Sequence, residues 1–380
     1  MNIPSSWQIL PLQKVAKLQT GLALNSKLKI LCPVCVPYLR VANVQAGHIE
    51  LGDLKTVVIE SSTMQRFVLH PGDVLLTEGG DFDKLGRGAV WRGQISPCLH
   101  QNHVFAIRTD RLKLLPEFLS YQTESNYGRN YFLSCSKQST NLASINSTQI
   151  KNFPVIVPPL NEQRRIAEFL GTWDEAIEKL EQLIAAKEKQ QKALSNHIFA
   201  QVKKQEFQQC RLVNICTIHK GVQLGKLEMN AEGRYPVLNG GISYSGYTDS
   251  YNCDANTIAI SEGGNSCGFV NLIREKFWCG GHCYTLKNIR ISMQYLFFFL
   301  KHRQDMLMNL RVGSGLPNIQ KKDLENVEVV FPIMEEEQNR FSEILLCTQN
   351  ELDLLRKKLA ALQKQKRGLM QKLLTGTWRV

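Results

Sequence analysis

Residues 161–184, NEQRRIAEFLGTWDEAIEKLEQLI, have a counterpart 175 positions later in residues 336–359, EEQNRFSEILLCTQNELDLLRKKL. In both copies apolar residues return every three or four positions, the spacing that holds one side of a helix against a partner helix. The residues of this seam are Leu170, Trp173, Ile177, Leu180 and Ile184 in the first copy and Leu345, Leu352, Leu355 and Leu359 in the second, where Thr348 occupies the position equivalent to Trp173. The sequence therefore predicts two long helices that pair as one coiled coil.

A stretch of short β-type runs precedes each helix, and the two stretches share an order of parts. Residues 78–80 (EGG) follow an apolar run, as do residues 262–264 (EGG), and His103 is matched by His282. A repeat of this length indicates domain duplication rather than a solenoid. We predict an α+β fold with a pseudo-twofold internal repeat, in which two similar modules are separated by two long antiparallel coiled-coil helices. The predicted segments are module 1 at residues 1–157, a first spacer helix at 158–204, module 2 at 205–331 and a second spacer helix at 332–380.

Several elements of module 1 can be placed individually. Residues 74–77, 88–91 and 103–107 are predicted strands, because β-branched and aromatic residues lie there between turn residues. A helix is predicted to open at residues 115–119, where a proline occupies the first turn. The first spacer helix is predicted over residues 161–199, and its part from residue 164 to residue 199 alone spans roughly 54 Å at 1.5 Å per residue.

The composition fits a folded protein with an anionic partner. Hydrophobic residues make up 43% of the chain, and 46 Lys and Arg residues outnumber 34 Asp and Glu residues to give a net charge of +12. Such an excess suits nucleic acid, because basic side chains near phosphates release counterions, although many folded proteins carry a similar charge without binding it. No apolar run approaches the roughly 20 residues of a membrane span, and the first residues do not resemble a signal peptide. We therefore expect a cytoplasmic protein that does not enter a membrane.

The eleven cysteines are odd in number and scattered, which argues against a disulfide framework. The closest pairs are Cys32 with Cys35 and Cys279 with Cys283. Neither pair has the second, suitably spaced pair of ligands that a structural zinc site requires. Buried free thiols are therefore expected, and no metal site is predicted.

The sequence offers little for catalysis. It lacks a phosphate-binding glycine loop, a dinucleotide fingerprint and an adenine-methyltransferase signature. Glu78, Asp81 and Asp83 group three carboxylates that could bind a metal in a nuclease, but the second copy at residues 262–266 lacks the aspartates. A turn that needs glycine explains both copies better than a metal site does.

His103 and His282 each begin a predicted strand. Either could be a base, a ligand, a structural hydrogen-bonding residue or a DNA contact. Neither has a nucleophile and an acid patterned around it, so a structural role is favoured and a DNA contact comes second. We therefore predict a chain without a catalytic site.

A family resemblance lies in residues 158–167 (PPLNEQRRIA), 235–242 (YPVLNGGI), 260–264 (ISEGG) and 373–376 (LLTG). These stretches, and above all the repeated order of parts, resemble the specificity subunits of type I restriction–modification enzymes over essentially the whole chain. Residues 333–338 depart from the first copy, because they hold one extra residue and lack the second proline. The second helix is therefore expected to start at a different angle.

The resemblance implies a DNA-recognition subunit that is not itself catalytic. Each module would read one half of a bipartite, asymmetric target in double-stranded DNA, and the paired helices would set the unread gap. Two methyltransferase subunits that bind S-adenosylmethionine would dock on the helices, and motor–nuclease subunits that use ATP and Mg would complete the complex. This chain would hold none of these cofactors. Two alternatives stay open, namely a coiled-coil scaffold or adaptor without DNA readout and a cryptic metal-dependent nuclease.

The polar loops are the candidate DNA-binding segments, and they differ between the modules at residues 39–60 and 236–250. Arg pairs bidentately with guanine, and Asn or Gln with adenine. The candidate contacts are Arg40, Asn43, Gln45, Lys84, Arg87 and Arg92 in module 1 and Asn239, Ser243, Tyr244, Tyr247, Asn265 and Ser266 in module 2. About half of them are expected only to contact phosphates or to cap turns, because most protein–DNA hydrogen bonds go to the DNA backbone.

Overall fold

The computed structural model describes residues 3–23, 31–80, 85–138, 143–200, 206–230, 232–313 and 317–379. The chain divides into two compact units. Unit 1 comprises Met1–Leu180 with Lys358–Val380, and unit 2 comprises Glu181–Lys357. Each unit therefore contains one module together with part of both long helices.

Module 1 holds four sheets within the described residues, and two of them form its framework. Its strands are β1 (Gln8–Pro11), β2 (Ala16–Thr20), β3 (Pro33–Leu39), β4 (Lys55–Glu60), β5 (Val74–Thr77), β6 (Gly79–Gly80), β7 (Gly88–Val90), β8 (Leu99–His100), β9 (Val104–Thr109), β10 (Lys137–Gln138), β11 (Ala143–Ser144) and β12 (Pro154–Val157). Its helices are α1 (Ser61–Phe67), α2 (Pro116–Glu124), α3 (Asn126–Cys135) and α4 (Ser147–Lys151). An antiparallel sheet has the order β2-β9-β5-β7, and a three-stranded sheet has the order β4-β3-β8, in which β8 runs parallel to β3. Strands β5, β7 and β9 and helix α2 confirm the elements predicted for this module.

Module 2 repeats this plan. The helix α5 (Leu160–Ala200) leads into it, and its strands are β13 (Phe207–Arg211), β14 (Thr217–Lys220), β15 (Tyr235–Leu238), β16 (Gly246–Thr248), β17 (Thr257–Ser261), β18 (Val270–Ile273), β19 (Trp278–Cys279), β20 (Cys283–Lys287) and β21 (Glu328–Pro332). Its helices are α6 (Leu212–Ile215), α7 (Met293–His302), α8 (Gln304–Asn309) and α9 (Lys321–Glu325), and α10 (Glu335–Leu373) follows. The sheets have the orders β14-β20-β17-β18 and β16-β15-β19. The orders β2-β9-β5-β7 and β4-β3-β8 of module 1 thus have their counterparts here.

The strand registers also match, which confirms the predicted internal duplication. Leu39 at the end of β3 lies opposite His100, and Leu238 at the end of β15 lies opposite Cys279. Both pairs belong to parallel neighbours in the three-stranded sheet. The loops that leave β3 and β15 therefore begin at the same place in the two modules.

The two long helices pair as the seam predicts. Helix α5 has 41 residues and α10 has 39, and among the helices of the described ranges none is long and apolar enough to cross a membrane. Of the seam residues, Leu170, Leu180, Ile184, Leu345 and Leu352 are buried, and Trp173, Ile177, Leu355 and Leu359 are half-buried. In unit 2, Lys187 pairs with Glu351 at 2.7 Å while Gln191 meets Gln349 at 3.1 Å, so the helices run antiparallel there. The apolar periodicity therefore identified both the helices and their partner faces.

The last turn of each long helix packs into an apolar core. Ile198 and Phe199, near the end of α5, belong to the core of unit 2, where the Phe199 ring lies 5.8 Å from that of Tyr295. Leu373 and Leu374, which lie 175 positions later at the end of α10, belong to the core of unit 1. Burial of these side chains anchors both helix ends, since each removes apolar surface from water.

A buried glutamine attaches the start of each long helix to its module. Gln163 is 0% exposed; its Oε1 accepts from the Leu115 amide at 2.9 Å, and its Nε2 donates to the carbonyls of Lys113 and Pro158 at 2.8 Å. The equivalent Gln338, 3% exposed, accepts from a backbone amide and donates to a backbone carbonyl in unit 2. The duplicated Glu-Gln dipeptide thus has a structural role, because its amide satisfies backbone groups that would otherwise be buried without partners.

One polar position in the helix pairing differs between the units. In unit 1 the Lys366 side chain is 9% exposed, and its Nζ lies 2.6 Å from Asp174 Oδ1 and 3.3 Å from Glu124 Oε1. In unit 2 the positions equivalent to 366 and 174 are Gln191 and Gln349, which share the amide hydrogen bond. An ion pair with a buried lysine in one unit and a neutral pair in the other mean that the helix pairing is not the same in the two units.

Candidate nucleic-acid interface

The loop that leaves β3 is closed by its own polar side chains. Arg40 Nη2 lies 2.9 Å from Asp53 Oδ2, and hydrogen bonds from Arg40 and Lys55 lower the pKa of Asp53. Asn43 is 2% exposed; its amide donates to the carbonyls of Glu50 and Asp53, and its Oδ1 accepts from the Arg40 amide at 2.9 Å. These bonds use both the oxygen and the nitrogen of the Asn43 side-chain amide. Asn43 therefore closes the loop and is not part of the candidate interface.

The other candidates of module 1 differ in exposure. Gln45 is half-buried and donates to the Ala42 carbonyl at 2.7 Å. Arg87 is half-buried, and its Nε is buried without a hydrogen-bond partner among the described residues. Arg92 is exposed, whereas Lys84 lies outside the described residues. Arg92 is therefore the described candidate of this module whose side chain is exposed to a ligand.

Exposed aromatic side chains lie in the loop that leaves β15 and on the next strand, β16. Ser243 is exposed, and the rings of Tyr244 and Tyr247 lie edge to face with centroids 6.5 Å apart. The Tyr244 hydroxyl donates to Glu275 Oε1 at 3.2 Å, and burial together with this carboxylate raises the pKa of Tyr244 to about 12. The phenol therefore stays protonated at neutral pH. Such rings can stack on a base, and the Tyr244 hydroxyl can still accept a hydrogen bond.

Of the other three candidates in module 2, two support the loop and the third has an exposed side chain. Ser266 Oγ donates to the Gly240 carbonyl at 2.5 Å, and Gly240 has a φ of +85°, a backbone conformation that favours glycine. Asn239 is half-buried, and its Oδ1 accepts from the His282 amide at 3.4 Å. Asn265 is exposed. Asn265 remains a candidate base contact, whereas Asn239 and Ser266 hold the loop in shape.

An aromatic and basic cluster in module 2 was missed by the sequence reasoning. The rings of Tyr235 and Tyr251 lie 5.0 Å apart, and Lys276 Nζ lies 4.2 Å from the centre of the Tyr251 ring. The guanidinium carbon of Arg234 lies 5.4 Å from the Tyr235 ring. Rings under cations can stack on a nucleotide base while the cation attracts a phosphate. Three separate segments contribute to this cluster, and the one signal in the sequence was a basic residue next to an aromatic one.

The structure offers no support for a metal site within the described residues. There, no group of three or more His, Cys, Asp and Glu side chains is arranged to hold a metal ion. Glu78 is hydrogen-bonded to His103, and Asp81 and Asp83 lie outside the described residues. The buried thiols are Cys98, Cys216, Cys253, Cys267, Cys279 and Cys283. Cys32 and Cys35 are exposed, so the expectation of burial is wrong for that pair, which lies at the start of β3 where side chains reach the surface.

Comparison with known proteins agrees with this duplicated architecture. Residues 4–188 and 204–364 match the family described as type I restriction modification DNA specificity domain. The chain is 26% identical over 410 residues to the type I restriction enzyme MjaX specificity subunit of Methanocaldococcus jannaschii, a match that covers 100% of this chain and 95% of that protein. It is 30% identical over 151 residues to the type I restriction enzyme EcoKI specificity subunit of Escherichia coli K12, covering 38% and 32% of the two chains.

Two solved structures share the fold. The S subunit of a type I restriction-modification system from Mycoplasma genitalium superimposes with a TM-score of 0.65 at 19% identity, covering 98% of this chain and 96% of that one. A chain from a study of complex assembly in the type I system superimposes with a TM-score of 0.60 at 20% identity, covering 100% of both. The chain belongs to the family of type I restriction modification DNA specificity domains. It is a specificity subunit that recognises a DNA target through two recognition domains.

Proposed function

We propose that module 1 and module 2 each read one half of a bipartite, asymmetric DNA target. This proposal rests on one observation. The strand frameworks of the two modules match, whereas the loops that leave them differ. Residues 40–54 and 239–245 leave equivalent strands, yet they differ in length and in residue type. A shared framework gives the same approach to DNA, and different side chains give different base contacts. A target with two unlike halves follows.

We also propose that the long helices set the length of the unread DNA between these halves. The 41 residues of α5 correspond to about 61 Å at 1.5 Å per residue, compared with roughly 34 Å for one turn of B-DNA. The buried seam holds each helix straight against its partner within a unit. A helix pair of fixed length is therefore suited to act as a spacer.

Two methyltransferase subunits are the proposed partners of the helices. Phe169 and Ile344 occupy equivalent positions one residue before the seam, and they are 39% and 40% exposed. An exposed apolar side chain at the same place in both helices fits two copies of one partner. The methyltransferases would supply S-adenosylmethionine and the methylation of double-stranded DNA, and motor–nuclease subunits would supply the chemistry that needs ATP and Mg. In this proposal the chain acts in the cytoplasm, holds no cofactor and performs no catalytic step.

Substituting the loop tyrosines of module 2 tests the assignment of one half-site to each module. In cells that carry the methyltransferase, the double variant Tyr244→Ala/Tyr247→Ala is expected to relax or lose one half of the methylated motif and to leave the other half unchanged. A lost base contact weakens discrimination by about 10- to 100-fold. Long-read mapping of adenine methylation measures both halves at once.

The matched control is Leu354→Ala, which removes an exposed apolar side chain from α10, outside both modules. This control should leave the whole motif unchanged. Relaxation of both halves in the tyrosine variant would contradict the proposal that each module reads its own half.

A further inference from the structure

The same carboxylate–imidazole pair occurs in both modules. His103 Nδ1 is hydrogen-bonded to Glu78 Oε2, and His282 Nδ1 lies 3.8 Å from Glu262 Oε2. Each histidine follows the last residue of the parallel strand, β8 or β19, by three positions, so the two pairs are equivalent in register. The histidine side chains are 52% and 65% exposed. Each module therefore presents one oriented imidazole at its surface.

The main chain holds both pairs in place. The Glu78 amide donates to the His103 carbonyl at 2.9 Å, and the Glu262 amide donates to the His282 carbonyl at 2.8 Å. In each module the carbonyl of the same glutamate also accepts from an isoleucine amide at 2.8 Å. In module 2 the His282 amide is bonded to Asn239, the first residue of the loop that leaves β15. The pair therefore sits beside the proposed recognition loop on a fixed backbone.

The orientation of the ring decides what the imidazole can do. Because Nδ1 faces the carboxylate in both modules, Nε2 is the ring nitrogen left for a ligand. When the ring is protonated, Nε2–H is a charge-assisted donor suited to an anion, while Nδ1–H stays with the carboxylate. In module 1 the amide of Asn102 lies 3.4 Å from His103 Nε2, and because both groups are exposed an anion can replace that contact.

The surroundings of the pair differ between the modules. Lys220 Nζ lies 2.7 Å from Glu262 Oε1, and the Tyr284 hydroxyl donates to the same oxygen at 3.0 Å. The equivalent positions of module 1 are Thr20 and Phe105, which carry neither group. The glutamate and the histidine are thus the shared part of the site, and Lys220 is an addition of module 2.

We propose that His103 and His282 are equivalent contacts to DNA phosphates, one in each module. This inference rests on the proposed function. Contacts that read bases must differ between modules that read different half-sites, whereas contacts to the backbone can be the same, because phosphates carry no sequence information. A histidine that recurs in register between unlike loops fits the backbone role. It fixes the position of each module on the duplex and leaves the reading of bases to the loops.

A binding experiment over salt and pH tests this inference with the full-length chain. The probes are a duplex that carries the methylated motif and a duplex of equal length with both half-sites scrambled. His103→Gln and His282→Gln are each expected to weaken binding to both duplexes about tenfold, the value of one hydrogen bond to a charged group. Each variant should also lower the slope of log Kd against log salt by about 0.9, because one phosphate contact is lost.

The pH dependence has a defined sign. The phosphate contact requires the imidazolium, so the affinity of the wild-type chain should fall as the pH rises, and each variant should lose part of that fall. The charged groups that face His282 are Glu262 and Lys220, and Glu78 faces His103. Comparison of each variant with the wild-type chain assigns the lost part of the pH dependence to the histidine that was replaced.

The control is His219→Gln in module 2. His219 is exposed on β14, and its Nε2 meets the Thr217 hydroxyl at 3.3 Å rather than a carboxylate. The His219→Gln variant should bind both duplexes with the affinity, the salt slope and the pH profile of the wild-type chain. Glu78→Gln and Glu262→Gln are second variants of nearly the same shape, and they should reduce the pH dependence because the imidazolium loses its counter-charge. If each variant has the melting temperature of the wild-type chain, the variants are folded, and the change lies in binding.

Each outcome has a defined meaning. If both histidine variants bind the two duplexes with the affinity and the salt slope of the wild-type chain, this inference is wrong. The proposed function is then unaffected. A loss of affinity that is confined to the motif duplex and depends on one of its base pairs also overturns the inference. The histidine would then read a base rather than contact a phosphate. Failure of the wild-type chain to bind either duplex removes the proposed function and this inference with it.

Discussion

Removing one heptad from each long helix is expected to shorten the unread gap of the target by about 3 bp and to leave both half-sites unchanged. Seven residues of helix correspond to about 10.5 Å, and successive base pairs are about 3.4 Å apart. Suitable deletions are residues 184–190 of α5 and 350–356 of α10, which hold the Lys187–Glu351 and Glu188–Arg356 ion pairs of unit 2. A seven-residue deletion keeps the 3–4 spacing in phase, so the seam can re-form on both sides of the cut.

The measurement is the methylated motif in cells that carry the variant and the methyltransferase. A five-residue deletion in both helices is the control, because at about 100° per residue it rotates the apolar seam by about 140° out of phase and should abolish methylation. If the heptad variant reads altered half-sites, or keeps the original gap, the helices do not act as the spacer.

Replacing Gln163 by leucine is expected to destabilise unit 1 by about 3 kcal/mol or more. The change removes the partners of three backbone groups, the Leu115 amide and the carbonyls of Lys113 and Pro158, and an unsatisfied buried group costs about 1–3 kcal/mol. Gln338→Leu removes the partners of two backbone groups, so its effect should be smaller. Denaturant unfolding followed by circular dichroism measures both changes.

Gln190→Leu is the matched control, because Gln190 is exposed on α5 and the same substitution there buries no polar group. Its stability should lie within about 0.5 kcal/mol of the wild type. Equal stability of Gln163→Leu and Gln190→Leu would show that the buried amide does not hold the helix to the module.

The periodicity of apolar residues predicted the large-scale fold. Leu170 and Leu345 are buried, as the repeated seam requires, and α5 begins and ends within one residue of the predicted 161–199. Helix periodicity is a local property, so it can be read from neighbouring residues. The duplication was visible for a related reason, because two copies of one backbone need similar apolar residues at similar intervals.

The candidate site was less predictable, because burial of a polar side chain depends on contacts distant in sequence. Asn43 has the chemistry of a base-reading residue, yet its bonds to Glu50 and Asp53 use its amide inside the loop. Tyr251 and Lys276 come together only after the chain has folded, so no local pattern marks them as one cluster. The sequence can therefore identify candidate DNA-binding loops, whereas the exposure of their individual side chains is known only from the structure.

We propose that this chain alone determines which DNA sequence its partners methylate. The most direct test maps adenine methylation in cells that carry this chain with its neighbouring methyltransferase and in cells from which this chain alone is deleted. We predict that one two-part motif with an unread gap is methylated in the first cells and is lost in the second. An unchanged methylation pattern in the presence of an active methyltransferase would contradict the claim.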